Sequence, residues 1–274
     1  MARTLVDLIK KNELYPHDIE VENREGGSGA TGWGYLFSKR GDPYNISTTS
    51  GSFLTTPLQA DTGWKPTDFT PVGLFATDDY LFTTRPKSGI TTWQQWVDFA
   101  KKKGTVAVGG IGTVNVDFIL HSKVAKQSGY KIDYVPFNDE GQLQTALLSG
   151  ALDAAFSNVG EVLGQVEAKK TNALLYTGKK PHGVIKDVPT ATSLGLKGLI
   201  SMPRGMILPP DTPKDVQDWW IATMKKVVET KEWKDYVAKN YLSEDVRYGK
   251  DFTTYLNSTS KELTRILREE GAIK

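Results

Sequence analysis

The sequence predicts an α/β fold that contains a parallel β-sheet. Between residues 105 and 176, short runs rich in β-branched residues alternate with longer segments of helical apolar periodicity. Alternation of this kind is typical of βαβ units, in which each helix crosses back over a parallel sheet. A chain of 274 residues is also long enough to bury a substantial core in one large or two modest domains.

The first hundred residues are predicted to form a mixture of helices, turns and short strands. A helix over 2–13 places Leu5, Leu8 and Ile9 on one face. The glycine-rich stretch 24–34 predicts a turn that leads into a second helix. A threonine at the start and Gly104 at the end delimit the helix in "TTWQQWVDFAKKKG". The strands predicted in this part of the chain cover 19–23, 44–49, 70–76 and 80–84.

The rest of the chain continues the alternation and then becomes helical. The predicted strands are 105–108, 131–135, 151–156 and 172–176, and the predicted helices between them are 113–128, 139–149 and 158–169. A long loop, 177–198, precedes a strand-like run at 205–210. The segment after it, with Pro213 near the first turn, predicts a helix, and two more helices are predicted near 231–240 and 250–270.

Composition excludes several functional classes. The 34 basic and 32 acidic residues give a formal charge of +2, so charge offers no case for a nucleic-acid partner. Because there is no cysteine, disulfides, thiolate nucleophiles and cysteine-based metal sites are ruled out. No stretch approaches the roughly 20 apolar residues that a membrane span requires.

The sequence offers no recognisable catalytic, metal or cofactor motif, and we expect none of these sites. His17, His121 and His182 do not have the spacing of a zinc protease motif. The loops "GSGATG" and "GGIGTVN" lack the following Lys-Ser/Thr of a nucleotide-binding loop. Asp78 and Asp79 could form an acid pair, but neighbours on an extended segment point to opposite faces, which predicts one exposed and one partly buried carboxylate.

The segment "VAVGGIGTVNVDF", residues 106–118, predicts a strand that ends in an anion-binding turn. Gly110 and Gly112 allow a ligand to approach the backbone closely, and Thr113 offers a hydroxyl at the predicted start of a helix. Free N–H groups and the helix dipole at such a start favour a carboxylate or a phosphate. A tight strand–helix turn without a ligand explains the same residues equally well.

Two further segments carry polar residues where a predicted strand ends. "STTSGS", residues 47–52, is rich in hydroxyls, and "DAAFSNVGEV" places Ser157 and Asn158 between a strand and a helix. Helix capping is the alternative explanation for both. Their shared position supports a ligand site, since open α/β sheets bind ligands at the carboxyl ends of their strands.

A series of motifs along the whole chain resembles one family. The motifs, in order, are "VENREGGSGATG", "STTSGS", "VAVGGIGT", "YVPFNDEGQLQTALLSGALDAAFSNVGEV", "DVPTATSLGL" and "RGMILPPDTP". They are similar to those of the substrate-binding proteins of tripartite tricarboxylate transporters, the Bug or TctC family. The resemblance implies a type II periplasmic-binding-protein fold, with two lobes that each have a central β-sheet flanked by helices. Residues 1–101 and 208–274 would form one lobe, and residues 102–207 the other.

The resemblance also implies a function without chemistry. Such proteins are monomers that capture a small di- or tricarboxylate between their lobes, outside the cytoplasm, and deliver it to the permease subunits of a membrane transporter. By position, the ligand-binding residues implied here are Thr49, Ser50, Ser52, Gly110, Gly112, Thr113, Phe137, Asp153, Ser157 and Asn158. An enzyme acting on a small carboxylate, or a receptor that signals to a membrane kinase, are the alternatives.

The chain departs from the family pattern in two places. Many relatives carry a histidine just after the second-lobe turn, where this chain has Val116-Asp117. An acidic side chain beside an anion is unfavourable, so we expect Asp117 to face away, or to favour a ligand with a cationic or hydroxyl group. Relatives also begin with a strand and a glycine-rich loop before the first helix. We therefore expect an upstream segment that carries this strand and an export signal.

Overall fold

The computed structural model describes residues 1–273, which contain ten α-helices and nine β-strands. The helices are α1 (Ala2–Lys11), α2 (Ala30–Ser38), α3 (Gly51–Gln59), α4 (Trp93–Lys103), α5 (Val116–Ser128), α6 (Glu140–Ser149), α7 (Val159–Glu167), α8 (Lys214–Glu229), α9 (Lys231–Lys239) and α10 (Gly249–Glu269). The strands are β1 (Ser47–Thr48), β2 (Thr70–Asp78), β3 (Tyr80–Thr84), β4 (Thr105–Ile111), β5 (Lys131–Phe137), β6 (Ala154–Asn158), β7 (Asn172–Tyr176), β8 (Met202–Leu208) and β9 (Leu242–Tyr248). In this part of the chain no helix combines the length and apolar character that crossing a bilayer requires.

The chain folds into two compact units, which we call the terminal unit and the central unit. The terminal unit comprises Met1–Thr77 together with the chain from Pro203 onward, and the central unit comprises Asp78–Met202. The boundaries between these units lie at 77–78 and 202–203, whereas the boundaries between the predicted lobes lie at 101–102 and 207–208. The difference arises because β3 pairs with β6 and β7 of the central unit, and because β8 pairs with β1 of the terminal unit.

The sheet of the central unit has the strand order β5-β4-β6-β3-β7. Strand β4 lies parallel to β5 over Thr105–Ile111 and parallel to β6 at Val108 and Gly109. The predicted parallel sheet is therefore confirmed for these strands. Strand β3 is antiparallel to both β6 and β7, and the sequence did not predict its insertion between them.

Helix boundaries in the central unit follow local capping. The Thr92 hydroxyl accepts the Gln95 N–H while the Gln95 side chain accepts the Thr92 N–H, which is a capping box that fixes the start of α4. Gly104, with φ of +86°, ends that helix as predicted. Helix α5, however, begins at Val116 behind the N-cap Asn115, so its predicted start at residue 113 was wrong. The glycine-rich loop is longer than the sequence suggested.

The sheet of the terminal unit has the strand order β1-β8-β2-β9. Its core packs α1, through the predicted apolar face, against Trp220 and Met224 of α8. The predicted strand 44–49 shortens to two residues, and β9 was not predicted, because its acidic and polar residues weaken the strand pattern. The predicted strand 19–23 is wrong, since this segment lies outside every strand of the described structure.

Candidate functional site

The loop after β4 is held at the carboxyl end of the parallel strands. The Gly112 N–H donates to the Phe137 carbonyl at 2.9 Å, and the Tyr134 hydroxyl donates to the Gly112 carbonyl at 3.0 Å. Gly112 has φ of +74°, a left-handed conformation that favours glycine. Thr113 follows in the same turn, ahead of α5. These contacts to the end of β5 fix the loop backbone before any ligand arrives.

Gly110 is required by a close approach from Asp117. A Cβ atom at this position would lie 2.3 Å from Asp117 Cβ and 2.8 Å from the Tyr134 hydroxyl oxygen. Both glycines of the predicted anion loop therefore have a packing or backbone reason to be glycine, which fits the ligand-free explanation as well as the ligand-binding one.

Asp117 lies beneath this loop. The side chain is 3% exposed and accepts the Ile111 N–H at 2.5 Å. Burial, with a smaller contribution from the negative charge of Glu140, raises its pKa to about 7, and this net value includes the opposing effect of hydrogen bonds from the Ile111 N–H and the Tyr80 hydroxyl. The carboxyl group thus ties the first turn of α5 to the end of β4, and it holds a proton more readily than an ordinary aspartate.

Glu140, in the first turn of α6, is a second acidic group at this end of the sheet. Burial raises its pKa, while hydrogen bonds from Ser157 and Gln144 lower it. The Gln144 amide donates to the Glu140 carboxylate at 2.8 Å and to the Ser157 hydroxyl at 3.1 Å. Sequence reasoning missed Glu140, Gln144 and Tyr134. An acidic residue at a helix start is usual for capping and dipole reasons, so no sequence signal distinguished Glu140.

His121 is a buried link between strands. Its Nε2 atom lies 3.1 Å from the Gly109 carbonyl and 3.2 Å from the Phe156 N–H. Burial lowers its pKa to about 3, so the ring is neutral at physiological pH. The ring also packs edge-on against Phe156 in the interior of the sheet. These contacts assign it to positioning β4 and β6.

The structure brings together some of the predicted ligand residues of the central unit. Gly110 lies near the end of β4, and Gly112 and Thr113 follow that strand. Phe137 ends β5, and Ser157 and Asn158 end β6, so all of these residues lie at the carboxyl ends of the three parallel strands.

Asp153 does not join that group. It precedes β6, where its carboxylate accepts the Ala107 N–H at 2.8 Å and pairs with Lys103 at 2.6 Å. Since Lys103 and Asp153 both come before their strands, this ion pair lies toward the amino ends of β4 and β6. Asp153 connects α4, β4 and β6 in the structure.

The remaining predicted ligand residues lie where β1 of the terminal unit leads into α3. The Thr49 side chain is buried, and its hydroxyl accepts the Gly205 N–H at 2.9 Å. Ser50 is the N-cap residue of α3 but its side chain makes no capping hydrogen bond, and Ser52 lies half-buried in the first turn. The first turn of α3 holds no acidic residue. Ser50 and Ser52 are thus positioned to present hydroxyls at a helix N-terminus, whereas Thr49 stabilises the sheet.

Asp78 and Asp79 differ from their prediction. Both side chains are buried, at 6% and 1% exposure, so the expected exposed carboxylate is wrong. Asp79 accepts hydrogen bonds from the Tyr176 hydroxyl at 3.0 Å and from the Ser201 hydroxyl. It connects β7 to the segment before β8.

Across residues 1–273, no group of three or more histidine, aspartate or glutamate side chains is arranged to hold a metal ion.

Comparison with known sequences finds one family along nearly the whole chain. Residues 2–272 match the family model described as the tripartite tricarboxylate transporter family receptor, TctC. A UPF0065 protein of Agrobacterium vitis is 28% identical over 204 residues, which cover 73% of this chain and 59% of that protein. The matched region therefore spans less than two thirds of the length of this relative.

Comparison with solved structures finds the same fold. A TctC solute-binding protein from Polaromonas superposes with a TM-score of 0.83 at 20% identity, covering 97% of this chain and 92% of that one. A protein of R. palustris, solved with adipate, gives a TM-score of 0.84 at 17% identity, covering 98% and 91%. MatC from Rhodopseudomonas palustris, with bound malate, gives 0.79 at 18% identity, covering 97% and 92%. These similarities confirm the expected periplasmic-binding-protein fold.

Proposed function

Because this chain belongs to the TctC family of tripartite tricarboxylate transporter receptors, we propose that it captures a small organic carboxylate for uptake by a membrane transporter. The family match over residues 2–272 is the observation that carries this proposal. Two solved proteins of the same fold are described with adipate and with malate, both dicarboxylates, which supports a dicarboxylate as the ligand class.

The geometry of the loop after β4 supports carboxylate binding. A carboxylate needs several hydrogen-bond donors, and a backbone turn that precedes a helix supplies N–H groups together with a favourable dipole. In our proposal the backbone around Gly112 and the Thr113 hydroxyl bind one carboxylate. Ser157 and Asn158 add polar groups from the neighbouring strand end. Within the terminal unit, we propose Ser50 and Ser52 at the start of α3 as further carboxylate-binding residues, through their hydroxyls.

The raised pKa of Asp117 is compatible with such a site. A buried carboxyl group that retains its proton repels an anion less than a carboxylate does. It can also donate a hydrogen bond. Asp117 is nevertheless engaged with Ile111 beneath the loop, so we assign it the role of holding the loop rather than contacting the ligand.

The same family membership supports our proposal for the partners and the location of the protein. We place the protein outside the cytoplasm as a monomer, where it delivers its ligand to the permease subunits of the transporter. Within this proposal the ligand is released chemically unchanged.

Calorimetric titration with malate, adipate and citrate tests the proposal. Wild-type protein should bind at least one of them with saturable heat. Thr113→Ala should weaken that binding by about ten- to a hundredfold, because a hydrogen bond to a charged group contributes about 1.5–3 kcal/mol and each 1.4 kcal/mol is a factor of ten. Thr105→Ala, at the exposed start of β4, is the matched control and should bind like the wild type. Heats at baseline for all three acids, or equal affinity for Thr113→Ala and wild type, would overturn the assignment.

A further inference from the structure

A hydrogen-bonded cluster of three side chains joins α6 to the end of β6 in the central unit. The Gln144 amide nitrogen donates to the Glu140 carboxylate at 2.8 Å and to the Ser157 hydroxyl oxygen at 3.1 Å. The Ser157 hydroxyl in turn donates to the Glu140 carboxylate. Gln144 and Ser157 are buried, whereas Glu140 is half-buried. Glu140 is therefore the member of this cluster, which we call the Glu140 cluster, that a ligand can reach.

The Glu140 cluster uses its own hydrogen-bond donors internally. An amide nitrogen has two hydrogens, and those of Gln144 go to Glu140 and Ser157. A serine hydroxyl has one hydrogen, and that of Ser157 goes to Glu140. Acceptor capacity is left over, because a carboxylate offers about four acceptor positions. The Gln144 amide oxygen, which is buried, also accepts no hydrogen bond from the described residues. The cluster thus presents an acceptor, and the group that complements it is a donor.

The charges around Glu140 favour the same kind of ligand group. Burial raises the pKa of Glu140, with smaller contributions from the negative charges of Glu161 and Asp139. Burial and the charge of Glu140 likewise raise the pKa of Asp117. A second anion beside Glu140 would add to this repulsion, whereas a hydroxyl hydrogen or an ammonium group would offset it.

The donors for a carboxylate lie close by, at the carboxyl ends of the same strands. In the proposed function, the backbone around Gly112 and the Thr113 hydroxyl after β4 bind one carboxylate. Asn158, which follows Ser157 at the end of β6, has a buried amide nitrogen that makes no hydrogen bond to the described residues. The central unit therefore offers donors for a carboxylate and, at Glu140, an acceptor for a different group.

We propose that Glu140 is a specificity-determining residue of the carboxylate site, and that the ligand is a carboxylate which also carries a hydroxyl or ammonium group. This inference rests on the proposed function. The donor group of the ligand would bind the Glu140 carboxylate, and Gln144 and Ser157 would hold that carboxylate in place. A site that is built to bond a polar group of its ligand rejects the analogue without that group, because the partner in the protein is then left unpaired.

Calorimetric titration with matched acids tests this inference. Succinate, malate and aspartate share a four-carbon skeleton and carry no donor, a hydroxyl and an ammonium group, respectively. Adipate and 2-aminoadipate form a six-carbon pair. In at least one skeleton, a donor-bearing acid should bind wild-type protein at least about tenfold more tightly than the unsubstituted acid. The order of malate and aspartate then distinguishes a hydroxyl from an ammonium group.

Replacement of Glu140 by glutamine supplies the specific variant. Glu140→Gln keeps the size of the side chain but replaces a charged acceptor by a neutral one, which forms weaker hydrogen bonds. The affinity ratio of the donor-bearing acid to the unsubstituted acid should therefore fall about fivefold. Affinity for the unsubstituted acid should not fall, which also shows that the variant is folded. Glu167→Gln, at an exposed position of α7, is the matched control and should keep the wild-type ratio.

Two results would overturn the inference while leaving carboxylate capture intact. The first is an unsubstituted acid that binds as tightly as its donor-bearing counterparts in both skeletons. The second is a preference for donor-bearing acids that Glu140→Gln leaves unchanged, since the preference would then arise elsewhere. Failure of all these acids and of citrate to bind wild-type protein would instead overturn the proposed function, and this inference with it.

Discussion

Replacing Asp117 by asparagine should change how the stability of the protein depends on pH. The Asp117 carboxyl is buried beneath the loop after β4 and accepts the Ile111 N–H. Asparagine keeps the size of the side chain and an oxygen that can accept this N–H, but it has no titrating proton. The substitution therefore isolates the ionisation of one buried group.

The magnitude follows from the raised pKa. Burial raises the Asp117 pKa from the ordinary value of 3.8 to about 7. A shift of this size corresponds to about 4 kcal/mol, at 1.36 kcal/mol for each pKa unit. The folded protein holds the proton more tightly than the unfolded chain, so this contribution is fully present below pH 3.8. It is lost as the pH rises through 7. Between pH 5 and pH 8 the loss should be about 3 kcal/mol.

Urea unfolding at pH 5 and pH 8, followed by the fluorescence of tryptophan, measures the effect. The free energy of unfolding of Asp117→Asn relative to wild type should rise by about 3 kcal/mol between the two pH values. Asp133→Asn, an exposed position on β5, serves as the matched control and should show no such change. A difference between Asp117→Asn and wild type that stays constant from pH 5 to pH 8 would refute the reasoning.

Two other substitutions test the packing around the candidate site. Gly110→Ala should lower the free energy of unfolding by about 1–3 kcal/mol in urea titrations, because the added methyl overlaps Asp117. Gly164→Ala in α7, where a Cβ meets nothing within 4 Å, should not be destabilised, and equal effects at the two positions would contradict the steric argument. Asp153→Asn should lower stability by about 1–2 kcal/mol through its weakened contacts to Lys103 and Ala107, while calorimetry shows unchanged carboxylate affinity. A drop in affinity without a drop in stability would instead place Asp153 in the ligand site.

Much of the fold could be predicted because, in the central unit, the sequence signals within each segment agree with the helix or strand that the segment forms. Strands β4, β5 and β6 have clear apolar runs, and the helix between Thr92 and Gly104 carries its own start and stop signals. The antiparallel insertion of β3 was not predictable in the same way. Its pairing with β6 and β7 joins residues more than 70 positions apart, and nothing in its own sequence specifies that order.

For the candidate site, too, the sequence identified individual residues but not the contacts that the fold brings to them. Gly110 and Gly112 stand out in the sequence. The contacts that require glycine at these positions, however, come from Asp117, Tyr134 and the end of β5. Glu140 escaped attention because its burial depends on the neighbouring strand end that carries Ser157.

The prediction of a strand at 19–23 was wrong for a related reason. Alternation defines a buried face, but hydrogen-bonded neighbours define a strand, and the described structure provides none for this segment. The sequence pattern was correctly recognised, while the pairing that it requires could not be inferred from the segment alone.

Native mass spectrometry with an equimolar mixture of malate, adipate and citrate is the most direct test of the account. We expect wild-type protein to carry one ligand, with an added mass equal to that of an intact acid, and we expect all three acids to remain unchanged in the solution. Protein that stays free in the mixture would contradict carboxylate capture. Conversion of any of the acids to a product in proportion to protein concentration would contradict a receptor without chemistry.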